Sequence, residues 1–261
     1  MEVAITIPIY KPLLSQNEQI SFERCLKILN NYDIILVCYK ELNTLQYKEI
    51  AKKHKKQLKE VFFDKKYFKS IQAYSNLLIN SNFYKAFLDY EYILIYQVDA
   101  YVFKDELLSW CNKNYDYIGA PWFNNFKSKE ENEKLMGVGN GGLSLRKVKK
   151  FFDLTHSKEI KYNFMFYYKY FHSIKAPFIK KNILSIMCMH NFMYKVNEDY
   201  FLVYIGSLAK QKLNVAPINE AINFAFDKSP SYLFELNNKQ LPFGCHAFEK
   251  NQYDTFWKKY I

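Results

Sequence analysis

Four short segments carry the side chains able to do chemistry. In Tyr96-Gln97-Val98-Asp99-Ala100-Tyr101-Val102-Phe103 a polar pair interrupts an apolar run. Gln97 and Asp99 are two residues apart, so in extended chain they project to the same side. A carboxylate there can hold a hard divalent cation against a diphosphate, because oxygen ligands suit magnesium and manganese. The blander role for Asp99 is to cap a helix opening near Lys104-Asp105-Glu106. Gly137-Val138-Gly139-Asn140-Gly141-Gly142 gathers four of the chain's 7 glycines. Glycine lets backbone approach a ligand and permits positive φ, although a tight turn before Leu143 also calls for it. The clustering in a glycine-poor chain favours a loop that faces a ligand.

Asn197-Glu198-Asp199-Tyr200-Phe201 sets an acidic pair at the start of an apolar helical run. One reading is an N-cap with first-turn acids that favour the helix dipole. The sharper one is a general base at a cleft mouth, drawing a proton from an acceptor hydroxyl. Adjacent helical residues diverge by about 100°, so one of the two acids points at a given atom. The fourth segment is Pro242-Phe243-Gly244-Cys245-His246-Ala247-Phe248. His246 is either a metal ligand or a hydrogen-bonded structural residue amid apolar neighbours. His54, His156, His172 and His190 lie in lysine-rich or aromatic surroundings and receive no role.

Elements that would position these residues follow from hydrophobic patterning. Val3 to Ile9, Asp33 to Cys38, Val61 to Phe63 and Tyr92 to Tyr96 read as buried strands. Helical stretches separate them: one face carries Phe22, Cys25, Leu26 and Leu29, a charged helix runs from Thr44 to Lys59, and a long one from Ser70 to Leu88. The alternation predicts a mostly parallel sheet with helices on its faces and ligands at the strand C-termini. Tyr10-Lys11-Pro12 stands where a dinucleotide fold carries its glycine fingerprint, which argues against a nicotinamide or flavin enzyme. Further on, Tyr117 to Trp122 and Gly142 to Arg146 read as short strands, and Asn163 to Val196 as mostly helical. A helix is expected to close the chain. The whole reads as one domain, residues 1–261, with a donor half (1–120) and an acceptor and catalytic half (121–261).

Composition sets outer bounds. The 261 residues include 49% hydrophobic and 19% aromatic side chains, enough for a sizeable core. A formal net charge of +11 favours anionic partners: nucleic acid, acidic headgroups or phosphorylated sugars. The lysines are spread along the chain, and the run Lys52, Lys53, Lys55 and Lys56 reads as a solvated helix face. Cys25, Cys38, Cys111, Cys188 and Cys245 form no paired motif and suit reduced thiols in the cytoplasm. The opening residues look like a first strand, not a leader peptide, and no apolar run approaches the ~18 residues of a membrane span.

In order along the chain, these segments resemble a bacterial family of GT-A-like glycosyltransferases. Its marks are Gln-x-Asp-Ala-x-Val-Phe, Gly-Asn-Gly-Gly-x-Ser-Leu-Arg, a Glu-Asp pair and Pro-Phe-Gly-Cys-His-Ala. Here they read Gln97 to Phe103, Gly139 to Arg146, Glu198-Asp199 and Pro242 to Ala247. Asp116 to Trp122 and Ile7 to Tyr10 fit as well, and the resemblance is weakest from Phe151 to Lys195. It implies an αβα sandwich of Rossmann-like GT-A type with a helical acceptor-side insertion. It also implies a nucleotide-sugar donor, UDP- or GDP-activated and including deoxysugars such as fucose, and a glycan or lipid-linked glycan acceptor such as lipopolysaccharide.

The resemblance further implies residue roles. The nucleoside would lie near Ile7, Pro8 and Tyr10, with Asp64 and Tyr74 as base or ribose contacts. Asp99 would be the last acid of the metal motif, with Gln97 in place of the first, and His246 the further ligand of a manganese or magnesium ion. Asn140, Gly141 and Gly142 would shape the sugar pocket, Asp199 would be the base of an inverting reaction, and Glu198 an acceptor contact.

Two other classes compete. Lys161 to Tyr170 interleaves cations and aromatics, as single-strand nucleic-acid platforms do, but no recognition module accompanies it. Ile174 to Val196 sets Lys175, Lys180, Lys181 and Lys195 beside apolar residues, which suits a peripheral contact with an anionic inner membrane face.

Overall fold

The computed structural model describes residues 2–123, 134–157, 177–180, 182–183, 197–209 and 212–261. Its centre is a six-stranded sheet of β1 (Val3–Pro8), β2 (Asp33–Cys38), β3 (Lys59–Phe62), β4 (Tyr92–Tyr96), β6 (Tyr117–Ile118) and β9 (Leu143–Lys147). The order is β3-β2-β1-β4-β9-β6. The first four strands run parallel, and β9 is antiparallel to both of its neighbours. Parallel strands buried on both faces need continuous apolar sequence, and Val-Ala-Ile-Thr-Ile-Pro and Tyr-Ile-Leu-Ile-Tyr supply it.

Alternate residues feed two cores. Val3, Ile5, Ile7, Leu36 and Leu94 face α1 (Gln16–Ile28), α2 (Leu45–Lys53) and α5 (Leu107–Asn112). Ala4, Ile35, Val37, Ile93 and Ile95 face α3 (Ile71–Leu78), α4 (Ser81–Lys85), α6 (Val148–His156) and α7 (Glu198–Leu208). Each fully buried Leu, Ile, Val or Phe contributes about 1.5–3 kcal/mol, so these two layers hold the sheet between them. The expected αβα sandwich is present. A three-stranded sheet, β10-β11-β5, stands beside it and joins α8 (Ile218–Phe224) to α9 (Pro230–Leu236) through β10 (Ala225–Phe226); its other strands are β11 (Gly244–His246) and β5 (Ala100–Val102). Its core gathers Tyr101, Phe226, Cys245, Phe248 and Trp257. β7 (Pro121–Phe123) pairs with β8 (Leu135–Val138) in a separate ribbon.

Three expectations are corrected. The helix expected from Thr44 to Lys59 ends at Lys53, because Lys55 takes a positive φ of 56° and the chain turns into β3. The helix expected from Ser70 to Leu88 breaks at Asn80, whose side chain accepts from the Asn82 N–H and starts α4. The closing helix is only a 3₁₀ turn, Trp257–Lys259, pinned by the burial of Trp257. The helical expectation for Asn163 to Val196 falls almost wholly outside the described residues. No helix among the described residues is long and apolar enough to cross a membrane.

Candidate functional site

Sheet register brings distant segments to one edge. β1 and β4 are parallel neighbours, so Pro8 to Tyr10 and Gln97 to Asp99 leave the sheet on the same side. β9 enters from that side, and the Gln97 N–H donates to the Gly142 carbonyl at 2.9 Å. β5 pairs antiparallel with β11, setting Ala100 opposite His246. β10 is parallel to β11 with Phe226 opposite Cys245, which delivers Asp227 beside His246. A cleft of about 1090 Å³ opens there, lined among others by Tyr10, Tyr74, Asp99, Asn140, Asp199 and Lys250.

At its floor His246 lies between two carboxylates. Nε2 is 3.1 Å from Asp99 Oδ1, and Nδ1 is 3.4 Å from Asp227 Oδ1. Burial would lower the imidazole pKa, but the contacts to Asp227 and Asp99 push it up to about 10. His246 is therefore an imidazolium at neutral pH. Burial would raise Asp99, yet His246 and the Lys250 ammonium, 2.9 Å from Oδ2, hold it well below the usual carboxylate range. Gln97 Oε1 lies 3.2 Å from the same Nε2. Gln97 to Ala100 form a turn closed by a 2.8 Å backbone hydrogen bond, not the extended segment the spacing suggested, and both side chains still reach His246. Asp99 does not cap α5, whose N-cap residue is Glu106 and makes no side-chain capping bond; Asp105 accepts from the Leu107 N–H.

The glycine loop clears space for side chains. A Cβ on Gly142 would lie 2.0 Å from His246 Nε2, and one on Gly141 would lie 2.1 Å from Glu198 Oε1. No described glycine has a positive φ; Asn140 does, at 64°, and its side chain accepts from the Gly142 N–H at 3.0 Å. The permissive conformation expected of glycine is thus carried by asparagine, which tolerates it.

Glu198 and Asp199 open α7 in different surroundings. Glu198 Oε1 takes a 3.0 Å salt bridge from the fully buried Arg146, and Oε2 accepts from Ser75. Arg146 also donates to Tyr84 and Ser144. Among the described residues no cation is in salt-bridge contact with Asp199. Burial first, and then the charge of Glu198, push its pKa up to about 7; the N–H groups of Tyr200 and Asn140 and the charge of Arg146 only partly oppose this.

Pro8, Tyr10, Tyr74, Gln97, Asp99, Asn140, Gly141, Gly142, Glu198, Asp199 and His246 all line the cleft. Two expected donor contacts do not. Ile7 is fully buried in the core, because alternation turns it away from the cleft edge. Asp64 caps the 3₁₀ turn Lys65–Phe68 and pairs with Lys66. Sequence reasoning missed Asp227 and Lys250. Asp227 had a signal, since Phe224-Ala225-Phe226-Asp227 repeats the apolar-run-then-acid pattern that marked Asp99. Lys250 had none.

The donor set bears directly on a metal. Among the described residues Asp99 is the carboxylate in contact with His246 Nε2, while Asp227 meets the other ring nitrogen. Gln97 offers a neutral amide, and both Asp99 oxygens already meet cationic side chains. Among the described residues no group of three or more His, Cys, Asp or Glu is arranged to hold a metal ion. The set around Asp99 and His246 does not fit a divalent ion held by protein ligands.

The sheet order and the cleft at the strand ends are those of the GT-A glycosyltransferase fold. The chain is similar to the apo form of mouse xyloside xylosyltransferase 1, with a TM-score of 0.53 and 10% identity over 94% of this chain and 97% of that one. It is also similar to the galactosyltransferase LgtC in complex with donor and acceptor sugar analogues (0.51; 12% identity; 93% and 86%). A third similar structure is core-mannan synthase A of Aspergillus fumigatus in its Mn/GDP form (0.50; 10%; 84% and 73%). At these identities the likeness establishes the fold. The chain belongs to the DUF5672 family, described as a protein of unknown function, whose profile matches residues 57–246. No curated protein matches the sequence.

Proposed function

We propose that this chain is a nucleotide-sugar-dependent glycosyltransferase that works with inversion at the anomeric carbon. One observation carries the reading: a single cleft is lined by a charged Asp99–His246–Lys250 cluster and by Asp199, a buried carboxyl poised near pH 7. Transfer needs both parts. The bond from anomeric carbon to phosphate oxygen breaks and the diphosphate leaves with the electron pair. Cationic groups must meet that charge. The acceptor hydroxyl attacks the opposite face, and Asp199 takes its proton. A base works best with a pKa near the operating pH, which is where burial places Asp199.

Donor contacts in this reading come from Pro8, Tyr10 and Tyr74, with Asn140, Gly141 and Gly142 beside the sugar. Glu198 becomes a positioning residue instead of an acceptor contact, because Arg146 and Ser75 occupy both of its oxygens. The cluster at Asp99 draws Asp227, His246 and Lys250 from the acceptor half, so the two halves share one active site within a single domain. The donor class is a UDP- or GDP-sugar, deoxysugars included. The acceptor class is a bacterial surface glycan such as lipopolysaccharide, met in the cytoplasm or at the inner membrane face. The GDP and the sugar analogues bound in two of the similar structures support this choice of ligands.

The test is a panel of UDP- and GDP-sugars incubated with glycan acceptors, read by mass spectrometry, with NMR of the product's anomeric proton. A single-sugar mass gain with inverted configuration is expected. Retained configuration would remove Asp199 from its role. The nucleic-acid and membrane alternatives rest on residues 161–170 and 174–196, of which only 177–180 and 182–183 are described, and no observation favours them.

A further inference from the structure

The charges around Asp99 do not add up to a metal seat, and the side chains present offer a substitute. A divalent ion bound beside a diphosphate is held by one or two protein carboxylates together with the phosphates, and those carboxylates must have oxygens open to it. Here the position two residues before Asp99 is the neutral Gln97, and the second nearby carboxylate, Asp227, sits across the imidazole ring from Asp99. Lys250 instead places its ammonium 2.9 Å from Asp99 Oδ2. Its side chain is 69% exposed while Asp99 is 17% exposed, so the amine projects from the floor into the cleft. An ammonium on a flexible stem has three donors, of which the carboxylate uses one. Among the described residues the other two meet no acceptor, and they can turn to phosphate oxygens.

We propose that Lys250 supplies, in place of a divalent ion, the positive charge that receives the departing nucleoside diphosphate, with Asp99 as the tether that aims it. This deepens the transferase reading and rests on it. Asp99 then serves as an anchor for a cation that is part of the chain. No co-reactant is added by this step: the diphosphate leaves with its electron pair and is stabilised by contact with the ammonium. Gln97 fits the same logic, since a second carboxylate there would compete with the phosphates for Lys250.

The experiment is calorimetric titration of the full chain with UDP, GDP and CDP, in EDTA and again in manganese chloride. The parent is expected to bind one of these nucleotides in EDTA with nearly the affinity it shows in manganese. Lys250→Met is expected to weaken that binding in EDTA by at least about tenfold and to lower kcat on the order of 10²-fold, the usual effect of deleting a leaving-group donor. Lys250→Arg is expected to restore most of the binding. Melting curves of both variants check the fold, which an exposed side chain should leave intact. Binding that vanishes in EDTA, returns with manganese and ignores Lys250→Met would overturn the proposal and restore a metal at Asp99. Absence of nucleotide binding in both buffers would instead overturn the donor reading beneath it.

Discussion

Glu198 Oε1 lies 3.0 Å from the buried guanidinium of Arg146, and this contact decides what its neighbour Asp199 can do. The pair fixes the first turn of α7 against β9 and α3, with Tyr84, Ser144 and Ser75 completing the hydrogen bonds. Breaking a buried pair leaves one charge uncompensated. Glu198→Ala and Arg146→Leu are each expected to destabilise the chain by about 3–5 kcal/mol. Their combination should cost clearly less than the sum, as a double-mutant cycle in urea would read.

Asp199→Asn keeps the shape of the buried side chain and removes the base of the proposed reaction. Activity is expected to fall on the order of 10²–10⁴-fold. In the parent, kcat is expected to rise with pH through about 7, where Asp199 loses its proton. The stability effect has the opposite slope. A raised carboxyl pKa means the folded chain holds a proton that the unfolded chain has lost, so Asp199 erodes stability as pH climbs from about 4 to about 7. The Asn variant should therefore melt at or above the parent temperature at pH 8. A variant that melts lower while retaining activity would remove Asp199 from the site.

Gly142→Ala sets a methyl group where His246 Nε2 now lies, 2.0 Å from the new Cβ. The imidazole must swing away from Asp99. Circular dichroism should stay native while nucleotide affinity drops by at least about tenfold, since the backbone lies at a strand entrance and the side chain can move. Gly141→Ala pushes on Glu198 Oε1 instead, and there the loss should be in melting temperature.

His246 contributes to stability in a defined pH window. Its folded pKa of about 10 stands above the ordinary 6.5, so its ion pairs stabilise fully below pH 6.5 and fade as pH rises towards 10. The melting-temperature gap between the parent and His246→Gln is expected to narrow across that range. A gap that widens with pH would contradict an imidazolium between Asp99 and Asp227.

The strands β1, β2 and β4 were legible because both of their faces are buried, which leaves an unbroken apolar run in the sequence. The break at Asn80 was not, because an asparagine inside a helical pattern looks the same whether it caps the next helix or faces solvent. Asp99, Asp199 and His246 were found through their motifs, whereas their mutual geometry depends on strand pairing between distant segments. Asp227 was foreshadowed by the apolar residues before it. Lys250 resembles every other surface lysine until the fold sets it against Asp99. The glycine cluster was legible as a loop facing a cleft, which Gly141 and Gly142 line, but the positive φ falls on Asn140 and the missing side chains make room for His246 and Glu198.

The pairing of β5 with β11 has a consequence for synthesis. Lys250 and Asp99 are 151 residues apart, and among the described residues β5 pairs only with β11. A ribosome finishes the layered core's first strands long before Gly244 emerges, so a product interrupted earlier would leave Ala100–Val102 as an open edge for stray strands. The strand that shields β5 and the two side chains that meet Asp99 come from one short stretch, so edge protection and charge cluster are kept or lost together.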